Sequence, residues 1–235
     1  MKLIFIRHAE PDYENNTLTD NGFLEAEALG KVYSAKDFDY IYSSPLNRAK
    51  YTAERVIKNE KEIKYFDWLE EFCPERKEAT NSIWDARPKF LNEYSDLYDN
   101  DKYLNSEYFA NINIKKRYNE VITEFEKLLE SHGYKKENKT YKVLKENSDT
   151  LVFFCHFGIT SVLLSHLLNV PYIILAQILC ALPSSVTTVV TEEREEGIAQ
   201  FRILKYGDTS HLKENGLTDS FMGRYVERYS DDGRH

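Results

Sequence analysis

Two short apolar runs constrain this chain more than any other feature. Leu3-Ile4-Phe5-Ile6 and Thr150-Leu151-Val152-Phe153-Phe154-Cys155 lack the polar alternation of a half-exposed strand. Continuous runs of this length suit parallel strands covered on both faces. The segments after them carry helical spacing. Thr19 is placed to cap a helix, with Leu18 and Phe23 in staple positions, and Gly22, Ala26, Leu29 and Tyr33 share one face. Asp39–Ser43 reads as a second strand and Ile63–Phe66 as a short third. Between them, Ser44-Pro45 reads as the cap and first residue of a helix with Ala49, Thr52, Ala53, Val56 and Ile57 inward. Strands alternating with helices predict a three-layer α/β/α fold, a mostly parallel central sheet with helices on both faces.

From Phe72 to about Ile114 the pattern gives way to an aromatic and acidic stretch with Trp84, Phe90, Tyr94, Tyr98, Tyr103, Tyr108 and Phe109. Linkers are poor in aromatics, so residues 73–114 are expected to form a partly helical insertion over the active site of one domain spanning 1–235. Lys115–Glu130 is an amphipathic helix ended by Gly133. Tyr134–Ser148, rich in Lys and Glu, reads as a solvated face. Val186–Thr191 and Ala199–Leu204 read as a closing hairpin, and the polar end from about Tyr206 as a segment that wraps or frays.

Composition excludes several classes. The 31 basic and 39 acidic residues give a net charge of −8, a poor match for nucleic-acid binding. No stretch is apolar enough for a signal peptide or a membrane span. Cys73, Cys155 and Cys180 have no CxxC spacing, which points to a reducing cytoplasm and to no zinc site. Cys155 reads as a small buried hydrophobe. No GxxxxGK[ST] or HExxH motif is present.

Ligands of such sheets bind at the carboxyl ends of the strands. Arg7-His8 follows the first run, Ser44 the second strand, and His156 the run at 150–155, while Arg48 opens the helix behind Ser44. Two arginine forks with a helix N-terminus form a pocket for a phosphoryl group, and a histidine supplies an acid, a base or a nucleophile.

These residues also carry a resemblance. Leu-Ile-Phe-Ile-Arg7-His8-Ala9-Glu10, Leu18-Thr19-x-x-Gly22, Ser43-Ser44-Pro45-Leu46-x-Arg48-Ala49-x-x-Thr52-Ala53, Trp68-Leu69-Glu70-Glu71-Phe72, Cys155-His156-Phe157-Gly158 and Gly207-Asp208-x-x-His211-Leu212 resemble, in order, the motifs of the histidine phosphatase superfamily, the phosphoglycerate-mutase-like proteins. Ala9 and Phe157 stand where that family commonly has glycine. The resemblance implies that His8 attacks phosphorus to form a phosphohistidine. Arg7, Arg48 and His156 would bind the equatorial oxygens, with Ser44 and Phe157 also in the phosphate pocket. Glu70 or Glu71 would be the general acid, and the family spacing Leu-x-Glu selects Glu71. No metal or other cofactor is expected, because guanidinium groups neutralise the transferring charge.

The implied function is a phosphomonoesterase acting on a small phosphorylated metabolite. A phosphoglycerate-type mutase is the alternative, although Cys73-Pro74-Glu75-Arg76 lacks the longer mutase signature after the acid. A non-catalytic phospholigand-binding module is a further alternative, which has no need of a general acid. Arg76 and Arg87 are candidates for substrate contact, with exposed surface the simpler reading.

Overall fold

The computed structural model describes residues 1–73, 88–110, 112–225 and 228. In chain order the strands are β1 (Lys2–Arg7), β2 (Pro11–Asp12), β3 (Thr17–Leu18), β4 (Tyr40–Ser43), β5 (Lys64–Tyr65), β6 (Tyr134–Glu137), β7 (Thr140–Val143), β8 (Thr150–Cys155), β9 (Val186–Glu195) and β10 (Ile198–Asp208). The helices are α1 (Asp20–Val32), α2 (Asn47–Ile57), α3 (Lys89–Glu93), α4 (Ile114–Ser131), α5 (Phe157–Leu168), α6 (Tyr172–Ile178) and α7 (Ser210–Glu214).

The large sheet runs β5-β4-β8-β1-β9-β10-β7-β6. Strands β5, β4, β8 and β1 are mutually parallel, and the ladders beyond β1 are antiparallel. The sheet is therefore α/β as its sequence implies, with a parallel half that ends in chemistry and an antiparallel half built from two hairpins. β1 and β8 lie at its centre, which explains their unbroken apolar character. Leu3 and Phe5 pack into one layer with α4, α5 and α6, whereas Ile4 and Ile6 pack into the other with α1 and α2.

Register aligns the ends of the strands. Arg7 pairs with Cys155 across β1 and β8, so His8 and His156 leave the sheet side by side. Ser43 pairs with Phe154, which brings Ser44 to the same edge.

Three local readings need correction. Tyr134–Ser148 is not a solvated face: β6 and β7 form a hairpin whose Tyr134 and Tyr141 are fully buried, each against the ring of Phe201. Lys135 and Lys142 face outward while Lys136 lies over the Tyr141 ring, and together they mask the inward tyrosines in any compositional average. The hairpin of β9 and β10 runs on to Asp208, past Leu204, and α7 follows with His211 and Leu212 buried, so the described chain beyond Tyr206 wraps and does not fray. Ser44 is not a helix cap, because α2 starts three residues later behind Leu46, with no side-chain cap. Thr19 does cap α1, accepting from the Gly22 N–H at 2.9 Å.

The insertion is partly helical where described: α3, then short 3₁₀ turns at Ser95–Tyr98, Tyr103–Asn105 and Glu107–Phe109. Tyr108 gathers Phe90 and Tyr94 around it, with ring centroids 5.4 and 5.5 Å away. Trp84, Arg76 and Arg87 lie outside the described residues. Among the described residues, no helix is long and apolar enough to cross a membrane.

Candidate active site

His8 and His156 face each other at the carboxyl edge of the parallel half, ring centroids 5.1 Å apart. Both are buried. Nδ1 of His8 lies 2.8 Å from the Ala9 carbonyl, and a carbonyl only accepts, so Nδ1 carries the proton. The lone pair then sits on Nε2. Burial, followed by the Arg7 and Arg48 guanidiniums, holds His8 well below the usual imidazole range, so the ring is neutral at neutral pH. The backbone carrying it is pinned on both sides. The His8 N–H donates to the Cys155 carbonyl at 2.9 Å, and the Ala9 N–H donates to Thr52 Oγ1 at 3.0 Å.

Nε2 of His156 lies 2.8 Å from the Ser44 hydroxyl. That oxygen also accepts the Leu46 N–H at 3.3 Å. Nδ1 of the same ring is buried with no partner. Burial, with His8 and both arginines adding to it, keeps His156 far below its ordinary range as well. Ser44 therefore orients His156 rather than capping α2.

The arginines are unusual in their isolation. Arg7 donates Nη1 to the Ala181 carbonyl at 2.5 Å, and Arg48 stacks over the Tyr13 ring at 5.5 Å. Neither meets a carboxylate within ion-pair distance among the described residues, and the Nε of each is buried without a partner. Nε of Arg7, Nε of Arg48 and Nδ1 of His156 are thus buried without partners beside one neutral histidine. Unpaired buried donors cost about 1–3 kcal/mol each, so the arrangement suits an anion rich in oxygen.

Glu71 brings a buried carboxyl group to the start of α5. Its Oε1 accepts from the Phe72 N–H at 2.9 Å and from the Ile159 N–H, in the first turn of α5, at 3.2 Å. Burial raises its carboxyl above the usual range, outweighing Arg7, Arg48 and those two hydrogen bonds. With Oε1 committed to two donors, Oε2 is the atom left to hold a proton. Phe157 opens α5 and is buried, directly after His156. The described residues include no group of three or more His, Cys, Asp or Glu that could hold a metal ion.

The sequence model of the histidine phosphatase superfamily (branch 1) matches residues 3–203. The chain belongs to the histidine phosphatase superfamily. Solved structures similar to this superfamily member share its fold. Phosphoserine phosphatase from Entamoeba histolytica, in complex with 3-phosphoglyceric acid, is 19% identical with a TM-score of 0.60, covering 90% of this chain and 98% of its own. A mycobacterial glucosyl-3-phosphoglycerate phosphatase is 17% identical with a TM-score of 0.58, over 88% and 98% of the two chains. The α-ribazole phosphatase from Shigella flexneri is 16% identical with a TM-score of 0.54, over 89% and 97%. No curated protein sequence matches the chain.

The structure brings Arg7, His8, Ser44, Arg48, Glu71 and His156 to one sheet edge. It adds groups that sequence reasoning missed. The Ala181 carbonyl on Arg7 leaves no signal, because a carbonyl is the same at every position. The buried Glu25 carboxylate holds the backbone just past His8, its Oε2 accepting the Glu10 N–H at 2.9 Å. Glu25 shares the inner side of α1 with Ala26 and Leu29, and its charge disguised its burial.

Proposed function

We propose that this protein is a phosphomonoester hydrolase that works through a phosphohistidine, without a metal, on a small phosphorylated metabolite. The observation that carries the reading is the trio of unpartnered buried nitrogens, Arg7 Nε, Arg48 Nε and His156 Nδ1, around a histidine whose free nitrogen is Nε2; with the Ser44 hydroxyl donating to Nε2 of His156, all three are donors. Three donors correspond to the three equatorial oxygens of a transferring phosphoryl group.

In the first step, Nε2 of His8 attacks phosphorus in line, the N–P bond forms and the ester P–O bond breaks. Glu71 gives its proton to the departing oxygen. The raised pKa of Glu71 supports that role, since an acid must still hold its proton near working pH. In the second step, the Glu71 carboxylate takes a proton from water as that water attacks phosphorus. The N–P bond breaks, inorganic phosphate leaves and His8 returns neutral. Ser44 keeps His156 in the donor tautomer throughout, and Phe157 follows at the start of α5. The absence of CxxC spacing among Cys73, Cys155 and Cys180 supports placing the enzyme in the cytoplasm.

A panel of phosphorylated metabolites tests the proposal, assayed for phosphate release with and without excess EDTA. It includes phosphoserine and 3-phosphoglycerate, the latter also with a bisphosphate activator. Release from at least one monoester, unchanged by chelation, is the expected result. Transfer of the group to a second hydroxyl would make the enzyme a mutase. Loss of activity in EDTA, restored by a divalent metal, would contradict the mechanism.

A further inference from the structure

We propose that the turn at residues 220–224 is a strap that positions Arg7, with Ser220 and Gly223 as positioning residues of the phosphoryl pocket. The inference rests on the phosphoryl-transfer reading given above.

After α7 the Leu217 N–H donates back to the Leu212 carbonyl at 2.9 Å, and the chain then returns to the carboxyl edge of β1. Ser220, buried to 3% exposure, donates its hydroxyl to Oε2 of Glu10, three residues beyond Arg7. The Met222 N–H donates to the Ser220 oxygen at 3.1 Å. Arg224 closes the turn on itself, its Nε donating to the Ser220 carbonyl at 3.2 Å and its Nη2 to the Asp219 carbonyl at 2.9 Å. The Gly223 carbonyl accepts from Cys180 Sγ at 3.4 Å. Cys180 precedes Ala181, the residue whose carbonyl holds Nη1 of Arg7. The strap is thus tied both to the loop that follows Arg7 and to the loop that binds its guanidinium.

Gly223 is the point of contact. Its φ is +91°, and an added Cβ would stand 2.7 Å from Nη1 and 3.6 Å from Cζ of Arg7, and 3.6 Å from Cδ of Pro183. Only a hydrogen fits between the guanidinium and the proline ring. With the Ala181 carbonyl fixing Nη1 and the strap backbone against the same group, Arg7 has no outward excursion, and its Nε–H stays committed to the pocket. The ties of the strap converge on Arg7 and Glu10. Pre-set donors of this kind act on the transition state because they need no reordering during the reaction.

The test is a double-mutant cycle on the full chain. Gly223→Ala and Ser220→Ala are made in the wild type and in the Arg7→Lys background. Inorganic phosphate affinity by calorimetry and kcat/KM on an aryl phosphate are the readouts. Gly216→Ala is the control: its φ of +71° carries the same backbone strain with nothing within 4 Å of the added methyl. In the wild type, Gly223→Ala is expected to weaken phosphate binding and to lower kcat/KM by up to about 10²-fold, the cost of an ångström-scale misplacement. Ser220→Ala should show a smaller loss of the same kind, and Gly216→Ala none. In the Arg7→Lys background both losses should shrink to less than about twofold, as expected when two residues act through one contact. Additive losses in that background, or wild-type behaviour of Gly223→Ala, would overturn the strap while leaving the hydrolase reading intact. A wild-type protein that releases no phosphate from any monoester would overturn both.

Discussion

Oε1 of Glu71 lies 2.7 Å from the position that a Cβ on Gly158 would occupy. The Phe72 carbonyl is equally close to that position, so the acid-bearing segment and the start of α5 touch through a residue with no side chain. Gly158→Ala should therefore displace the Glu71 carboxylate. Expected are a stability loss of about 1–3 kcal/mol, as for other overpacked sites, and a larger loss of kcat on alkyl than on aryl phosphates. Denaturant midpoints and paired kinetics measure the two effects separately.

Glu71 and Glu70 are adjacent, but only Glu71 meets the N–H groups of Phe72 and Ile159. An alkyl leaving group departs as an alkoxide and needs a proton, whereas a good aryl group does not. Glu71→Gln should lose roughly 10²–10⁴-fold in turnover on alkyl phosphates, the usual worth of a positioned proton donor. On an aryl phosphate it should give a stoichiometric burst and slow release. Glu70→Gln should behave as wild type on both, and a reversed pattern in rapid-quench kinetics would move the acid to Glu70.

The pH dependence has a definite sign. His8 is held below its ordinary range and so stays a nucleophile in mild acid, while Glu71, held above its range, stays protonated there. kcat/KM on alkyl phosphates should accordingly be highest on the acid side and fall as pH rises through the raised Glu71 value. The falling limb should vanish in Glu71→Gln. A basic optimum in the wild type would contradict these protonation states.

Glu25 links folding to pH. Burial, opposed by the Glu10 N–H and reinforced by the Glu10 carboxylate, raises its pKa to about 7 from an ordinary value of 4.5. Between those values the folded chain holds a proton that the unfolded chain has lost, so stability falls as pH rises across this window. The shift is worth about 3 kcal/mol at 1.36 kcal/mol per unit. Glu25→Gln should flatten that slope, which chemical denaturation at a series of pH values would show.

The parallel half of the sheet was legible because strands covered on both faces must be apolar without interruption, as β1 and β8 are. The residues that end those strands, Arg7, His8 and His156, were legible for the same reason: register puts them together. The β6–β7 hairpin was not, because Lys135, Lys136 and Lys142 dominate its composition while two tyrosines do the packing. The partners that set geometry at the site were hidden more deeply. Ala181 acts through a carbonyl, Phe72 and Ile159 through N–H groups, and Gly158 and Gly223 through the absence of a side chain. Such contacts depend on the path of the chain, which no single residue type encodes.

The nucleophile is the centre of the mechanism. Wild-type protein mixed with a labelled aryl phosphate and quenched within milliseconds should carry one phosphoryl group, stable in base and labile in acid, on the peptide containing His8. His8→Ala should carry none and turn over no substrate. A phosphoryl group found on Ser44, Cys155 or His156, or turnover that persists in His8→Ala, would contradict the assignment of His8 as the residue that attacks phosphorus.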